Sequence, residues 1–380
     1  MRGTTADYAR RVLCDPSRGE ANARTIAEAF GFCLAHAGHL LGIERRASDI
    51  AAVMKGAAAA AGDLLGPGAG HEDRLLDLLF GAAQACPACR HSGRRLAGLL
   101  ARHAAALRSS MRGAARPPPP CLPHFRALVA MSEQADLRSW IVAEIDFLSA
   151  VVPSADAAPV VAGLPDVPCA GFDGPTTSGC PICAAMQRAR ARWLESAKVS
   201  AQTGLVPWAV LPGCAEHLWA CALSGDSRLA IGAVEHAIDA ALGTLRRAVS
   251  WLDKEDRRLE LEARSVFYRP RSPAFVLGQR RKALRGLWRC AACERMAAAR
   301  ERAVGALLER LSDKRRREEF ERGYGLCMKH FAEVRLVAPA GTLRETLTAL
   351  HAAKLRALEQ DLAGGTAAWK ESICRFSGSV

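Results

Sequence analysis

What this 380-residue chain lacks narrows its class before any motif is read. Aromatic residues make up only 6% of it, and three of them are tyrosine. Runs of β-branched residues are few and the hydrophobic half of the chain is dominated by Ala and Leu, a composition that favours helices over sheets. No uninterrupted apolar run approaches the about 18 residues that a membrane span requires, and no charged n-region followed by an apolar h-region opens the chain. A cytoplasmic protein without a membrane segment is the expectation. Catalytic signatures are missing as well: there is no G-x-S-x-G, no H-E-x-x-H, no phosphate-cradling glycine loop and no dinucleotide fingerprint. Lysine is scarce too, 8 residues against 44 Arg, so the net charge of +13 rests on arginine. Such a skew follows from a GC-rich genome as readily as from phosphate contacts, and charge alone does not argue for nucleic acid.

Cysteine is what the chain has in abundance, 14 residues, and most of them sit in metal-ligand spacing. Cys290-Ala-Ala-Cys293 is followed by Cys327-Met-Lys-His330, Cys180-Pro-Ile-Cys183 by Cys214-Ala-Glu-His217, and Cys86-Pro-Ala-Cys89 by Cys121-Leu-Pro-His124. The two halves are separated by 33, 30 and 31 residues respectively. Two thiols at C-x-x-C and a thiol with an imidazole at C-x-x-H complete the four ligands of a tetrahedral zinc. Pairing each C-x-x-C with the C-x-x-H that follows it predicts about three zinc ions per chain. Pro after the first Cys suits a helix start, where its missing N–H costs nothing and where the helix dipole favours thiolate. Four protein ligands leave no position for an activated water, which points to structural zinc.

Each copy then reads as helix, metal turn, short helix, long helix, in an all-α array of tandem repeats. A long helix after His124 is marked by Leu137, Ile141, Ile145 and Leu148. After His217 the stripe is Val234, Ile238, Leu242, Leu245, Val249 and Leu252, and after His330 it is Leu343, Leu347, Leu350, Leu355, Leu358 and Leu362. The resulting division is an incomplete first repeat over 1–80, repeats over 81–153, 180–254 and 290–364, a Pro/Gly-rich linker over 154–179, a basic connector over 255–289 and a loose tail over 365–380. In the first repeat, Gly31-Phe32-Cys33-Leu34-Ala35-His36 matches the other C-x-x-H turns, but no C-x-x-C precedes it. Cys33 and His36 are therefore expected to form an incomplete site that Cys14 or His39 could extend. Its Ala-rich helix should close at Gly66-Pro67-Gly68. Cys169 and Cys374 have no partner in spacing, and Cys221, one turn after His217, reads as a small buried apolar residue.

The C-P-x-C motif followed by G-F-C or G-L-C and x-x-H resembles an uncharacterised bacterial domain-of-unknown-function family of helical Cys/His-repeat proteins. Ala291 stands where that family often has Pro, and the resemblance implies no activity. Two other chemistries compete with zinc: an iron–sulfur cluster on three Cys and one His, and thioredoxin-type redox chemistry, which would need a βαβ context that is missing. The connector carries Arg269, Arg271, Arg280, Arg281, Lys282 and Arg285 among Phe267, Tyr268, Phe275 and Trp288. That mixture suits phosphate-backbone contact with base stacking, or a solvated link between repeats. The sequence thus favours a non-enzymatic zinc-binding scaffold for a protein or nucleic-acid partner, with a thiol-based redox or metal sensor as the alternative.

Overall fold

The computed structural model describes residues 19–28, 47–65, 87–110, 120–121, 124–125, 128, 134–151, 179–203, 214–263, 290–364 and 369–377. All regular structure among them is helical. In chain order the helices are α1 Gly19–Glu28, α2 Ala47–Leu64, α3 Pro87–Ser110, α4 Gln134–Ala150, α5 Pro181–Thr203, α6 Ala215–Ala222, α7 Ser227–Ala263, α8 Ala291–Ser312, α9 Lys314–Arg322, α10 Met328–Val337, α11 Thr342–Gly364 and α12 Trp369–Ser377. None of them is long and apolar enough to cross a membrane.

The chain forms two compact units, one from Met1–Arg95, Asp166–Ala189 and Met296–Val380, the other from Leu96–Pro165 and Arg190–Arg295. Both are therefore assembled from segments distant in sequence, and neither coincides with a single sequence copy.

In the first unit α2 packs against α1, α11 and α12. Its buried face is mostly methyl groups, Ala51, Ala57, Ala58 and Ala61 beside Ile50 and Met54, and small side chains allow neighbouring helix axes to approach closely. At Gly56 the approach is tightest, since a Cβ there would stand 2.7 Å from the Cβ of Ala23 in α1. From the other side α11 contributes Leu347, Leu355, Leu358 and Leu362, four of the six residues expected on its stripe.

Residues 369–377, in the segment expected to be a loose tail, form the helix α12. Within them α12 buries Ile373 and Phe376 in the core. Arg375, 4% exposed, lies 3.9 Å over the Tyr324 ring. It donates from Nη1 to the Tyr324 carbonyl at 2.6 Å and from Nη2 to Glu371 at 3.0 Å. A guanidinium can stay buried only with such partners, and they fix α12 beside the segment that leads into α10.

The second unit is organised by α7, which packs on α4 and α6. Val234, Ile238, Leu242, Leu245 and Leu252 of the expected 3.6-residue stripe are buried along it together with Leu229, with Val249 packed at its margin. Trp140, Ile141 and Leu148 of α4 face the same core, joined by Leu100, Ala104 and Leu107 of α3 and by Trp193 and Ala197 of α5. An exposed ion pair, Arg138 to Asp253 at 2.8 Å, links α4 to α7 and adds at most about 1 kcal/mol.

The glycines of α2 provide a test of this packing. Gly56→Ala should destabilise by about 1–3 kcal/mol through overpacking against Ala23. Gly62, with nothing within 4 Å of an added Cβ, should gain about 0.5–1 kcal/mol when changed to Ala, from helix propensity alone. Thermal melts of the two variants should move in opposite directions; a gain in both would refute the close approach.

Candidate metal centres

Each ligand turn is the start of a helix. The carbonyls of Cys180, Cys214, Cys290 and Cys327 accept the first helical hydrogen bond, from the N–H of Ala184, Leu218, Glu294 and Phe331 at 3.0, 3.0, 3.0 and 2.8 Å. Cys214 and Cys327 are the N-cap residues of α6 and α10, with extended backbone and no side-chain capping bond. Neither position carries the Ser or Asp that would normally cap first-turn N–H groups. Before α10 the chain turns at Gly325, φ +81°, in the left-handed region where a side chain is strained. That requirement accounts for the Gly of the Gly325-Leu326-Cys327 motif.

In the first unit Cys180, Cys183, Cys327 and His330 converge, all buried; in the second, Cys214, His217, Cys290 and Cys293 do so, with Cys293 exposed and Cys214 half-buried. Within each set every ligand atom lies within 4.8 Å of the others. The first set has Cys183 Sγ 3.8 Å from Cys327 Sγ. His330 Nδ1 lies 3.4, 3.3 and 3.3 Å from the sulfurs of Cys180, Cys183 and Cys327. In the second set Cys214 Sγ is 3.6 Å from Cys293 Sγ. His217 Nδ1 is 3.1, 3.7 and 3.5 Å from Cys214, Cys290 and Cys293. Metal–sulfur bonds of about 2.3 Å and metal–nitrogen bonds of about 2.0 Å at tetrahedral angles place ligand atoms roughly 3.8 Å apart for two sulfurs and roughly 3.5 Å apart for sulfur and nitrogen. The measured separations in both sets thus match those of a tetrahedral site that could hold one ion. The sulfurs are far beyond the about 2.05 Å of a disulfide, and none of the six cysteines forms one.

The pairing differs from the expected one. Cys180 and Cys183 close on Cys327 and His330 rather than on Cys214 and His217, and Cys290 and Cys293 close on the preceding Cys214 and His217. Helix length gives the reason. The 23 residues of α5 span about 35 Å, and Cys180 sits at its start while Cys214 comes shortly after its end. To return, the 204–213 segment would have to run almost fully extended back along the whole helix. The 22-residue α8 separates Cys290 from Cys327 in the same way. Tandem repeats, each clamped within itself, are therefore not the arrangement of these two sets.

Of the remaining candidates, Cys121 and His124 hold the same turn geometry, Sγ to Nδ1 3.1 Å, and no further ligand joins them among the described residues. Burial raises the Cys121 thiol above its usual value and the Glu144 carboxylate adds to this. Cys33, His36, Cys86, Arg269, Arg271, Arg280, Arg281, Lys282 and Arg285, with Cys14, His39 and Cys169, lie outside the described residues, as do the side chains of Cys89 and Cys374. Cys221 is fully buried in the core around α7, and burial, aided by neighbouring Cys290, pushes its thiol up to about 12; it packs and does not ligate.

Electrostatics separate the thiols within each set: Cys180 and Cys290 are driven towards thiolate, while their neighbours Cys327 and Cys214 are pushed above the ordinary thiol range by those sulfurs and by burial. Burial works against protonation of both imidazoles, yet the thiolates around them prevail and raise His217 to about 9 and His330 to about 10. Burial likewise opposes ionisation of Cys180, but hydrogen bonds from Cys183, Cys327 and His330 hold it far below the ordinary thiol range. Cys290 is lowered by its bonds to Cys214 and Cys293. Without a metal a proton on each His balances this negative charge; a divalent cation replaces it with more charge at shorter range.

Two buried polar residues, one beside the first ligand set and one near Cys121, were not singled out from sequence. His351 of α11 stacks on Phe331 with centroids 4.0 Å apart and 5° between planes, and its Nε2 meets Met328 Sδ at 2.9 Å. Burial, helped by Arg375, lowers it to about 3. Glu144 of α4 is 2% exposed. Each interrupts an apolar stripe at helical spacing, Leu347-His351-Leu355 and Trp140-Glu144-Leu148, and that interruption is the signal by which they could have been found.

No protein-family model matches the chain, and no curated protein or solved structure does. Fold and site together define the class: among the described residues the regular structure is helical, and two Cys₃His groups have a spacing that could hold a metal ion.

Two outcomes are expected. Cys183→Ser and Cys327→Ser should each remove the same metal equivalent and the double variant no more, whereas Cys183→Ser with Cys214→Ser should remove two. Metal counting that instead couples Cys183 to Cys214 would restore the sequence-order pairing. For His351 the folded value of about 3 lies below the ordinary 6.5. The neutral ring therefore contributes stability that is present above pH 6.5 and lost as pH falls towards about 3. His351→Leu should flatten this part of the pH–stability curve; an unchanged acid limb would contradict it.

Proposed function

We propose that the protein is a zinc-clamped helical scaffold, with zinc as the ion of both described sets and a macromolecule, protein or nucleic acid, as its partner. The observation that carries the zinc reading is the tetrahedral spacing of three sulfurs and one nitrogen around a single centre. Ligands on different irons of a cluster would stand farther apart than those of one ion, which favours zinc over iron–sulfur chemistry. Four protein ligands fill the coordination shell, so the ion supports structure and leaves no site for an activated water. Each clamp joins chain segments that are far apart, 144 residues between Cys183 and Cys327 and 79 between Cys214 and Cys293, and the metal's binding free energy becomes folding free energy.

The partner reading draws support from α9. Its first turn carries Lys314, Arg315 and Arg316, all exposed, and basic residues at a helix N-terminus oppose the dipole. Asp313 offsets part of this by accepting from the Arg316 N–H at 2.9 Å. An anionic partner surface would offset the rest.

Elemental analysis of untagged protein should give at least two zinc per chain, and chelation should lower the melting temperature and helix content together. Iron with visible absorption, or less than one zinc per chain, would overturn the assignment. The same measurement addresses a third ion. Cys290 and Cys293 use the C-x-x-H upstream of them, and the 24-residue α3 separates Cys86 from Cys121 as α5 separates Cys180 from Cys214. On that pattern the zinc count should fall by one in Cys33→Ala and stay constant in Cys121→Ala; the reverse result would return Cys86 and Cys89 to Cys121 and His124.

A further inference from the structure

The two ligand sets have the same chemistry and opposite accessibility. All four residues of the Cys180/Cys183/Cys327/His330 set are buried, and its sulfurs and imidazole lie in the core with Phe331 and Leu355. The other set opens to solvent at one corner, since Cys293 is exposed and Cys214 is half-buried. Identical ligands at equal spacing have comparable intrinsic reactivity, so access decides which is attacked.

We propose that Cys293 is an oxidative modification site, and that the Cys214/His217/Cys290/Cys293 centre releases its metal on oxidation while the buried centre does not. This rests on the zinc reading above and adds which centre responds and through which atoms. The oxidant is hydrogen peroxide. The Cys293 thiolate attacks one peroxide oxygen; the S–O bond forms, the O–O bond breaks, and the departing hydroxide takes a proton to become water. The neighbouring Cys214 thiolate, 3.6 Å away, then attacks the sulfenic sulfur of Cys293. An S–S bond forms, the S–O bond breaks, and the second hydroxide leaves as water with a second proton. Two thiolates have given two electrons to one peroxide, and the pair needs to close by about 1.5 Å to reach disulfide length. The metal is left with Cys290 and His217, half its ligands, and departs as the divalent ion.

Position makes the release consequential. Cys290 and Cys293 start α8 and Cys214 starts α6, whose Leu218 lies in the core organised by α7. Loss of the ion frees the end of α8 from that core, whereas the clamp in the first unit stays closed. Reduction of the disulfide restores the ligands, so the step is reversible by thiol exchange.

The test uses the intact metal-loaded protein. Its zinc is first counted, then hydrogen peroxide is added and released zinc is followed with a chromogenic chelator, with thiols mapped by differential alkylation and mass spectrometry. One equivalent should leave at least about tenfold faster than the next, accompanied by a Cys214–Cys293 linked peptide, with Cys180, Cys183 and Cys327 still protected. Cys293→His retains four ligands but removes the nucleophile, and should bring the fast equivalent down to the slow rate. Equal release from both centres, first release with modification of Cys180, Cys183 or Cys327, or a Cys293→His variant that loses zinc as fast as the parent would overturn the proposal. Protein that holds no metal before peroxide is added would overturn the zinc reading itself, and the initial count separates that failure from the others.

Discussion

The structure depends on one kind of contact, the closure of a C-x-x-C helix start onto a C-x-x-H helix start. Four ligand atoms from two helix N-termini share one small volume, and the negative charge held there must be balanced, by a proton on the imidazole or by a cation in its place. The packing around the sets is consistent with this demand. Phe331 and His351 stack beside one set, and Trp193 stands edge-to-face with His217, 5.2 Å between centroids, beside the other. Aromatic walls exclude water and lower the local dielectric, and both effects would strengthen the attraction between these ligands and a bound cation. The cores are otherwise rich in Ala and Leu, which pack closely but carry little directional information. Ligand geometry supplies the specificity that such cores do not.

Much of the fold could be read from the sequence because it is periodic. The stripes of α4, α7 and α11 were visible at 3.6-residue spacing, and Gly325 and the Cys turns marked helix starts. The identity of the ligating residue types was legible as well, since C-x-x-C and C-x-x-H place two side chains on one face of a helix start whatever the surroundings. Pairing was not legible from motif spacing, although helix length contained the answer. A helix of 22 or 23 residues is a rod, and halves of a motif at its two ends cannot meet. Counting residues between motifs measured contour length where the physical quantity was end-to-end distance. The helix at Trp369–Ser377 was missed for a related reason: its anchors, Ile373, Arg375 and Phe376, are few, and Arg375 reads as surface until Tyr324 and Glu371 are placed beside it.

The division of labour between burial and exposure also distinguishes the two centres. With an ion bound, a set with all four ligands in the core would exchange it only when the core opens, so that lifetime would follow the stability of the first unit. A set with a cysteine at the surface would exchange ligand by ligand, at a rate set by what reaches it. The same four ligand types are thus placed under two regimes, one governed by folding and one by solution conditions.

The ligand pairs are also nested along the chain: residues 214–293 close within the span 180–330. During synthesis the inner pair is complete as soon as Cys293 has emerged, whereas Cys180 and Cys183 wait for partners 144 or more residues later, about 7–30 s at ordinary elongation rates. Through that interval the only intact C-x-x-H made after them is the one that belongs to the inner pair. The rigidity of α5, which keeps Cys180 from Cys214 in the finished molecule, therefore also acts as a proofreading device in the nascent one: once that helix has formed, it holds an early pair of thiols away from the wrong acceptor until the right one is made.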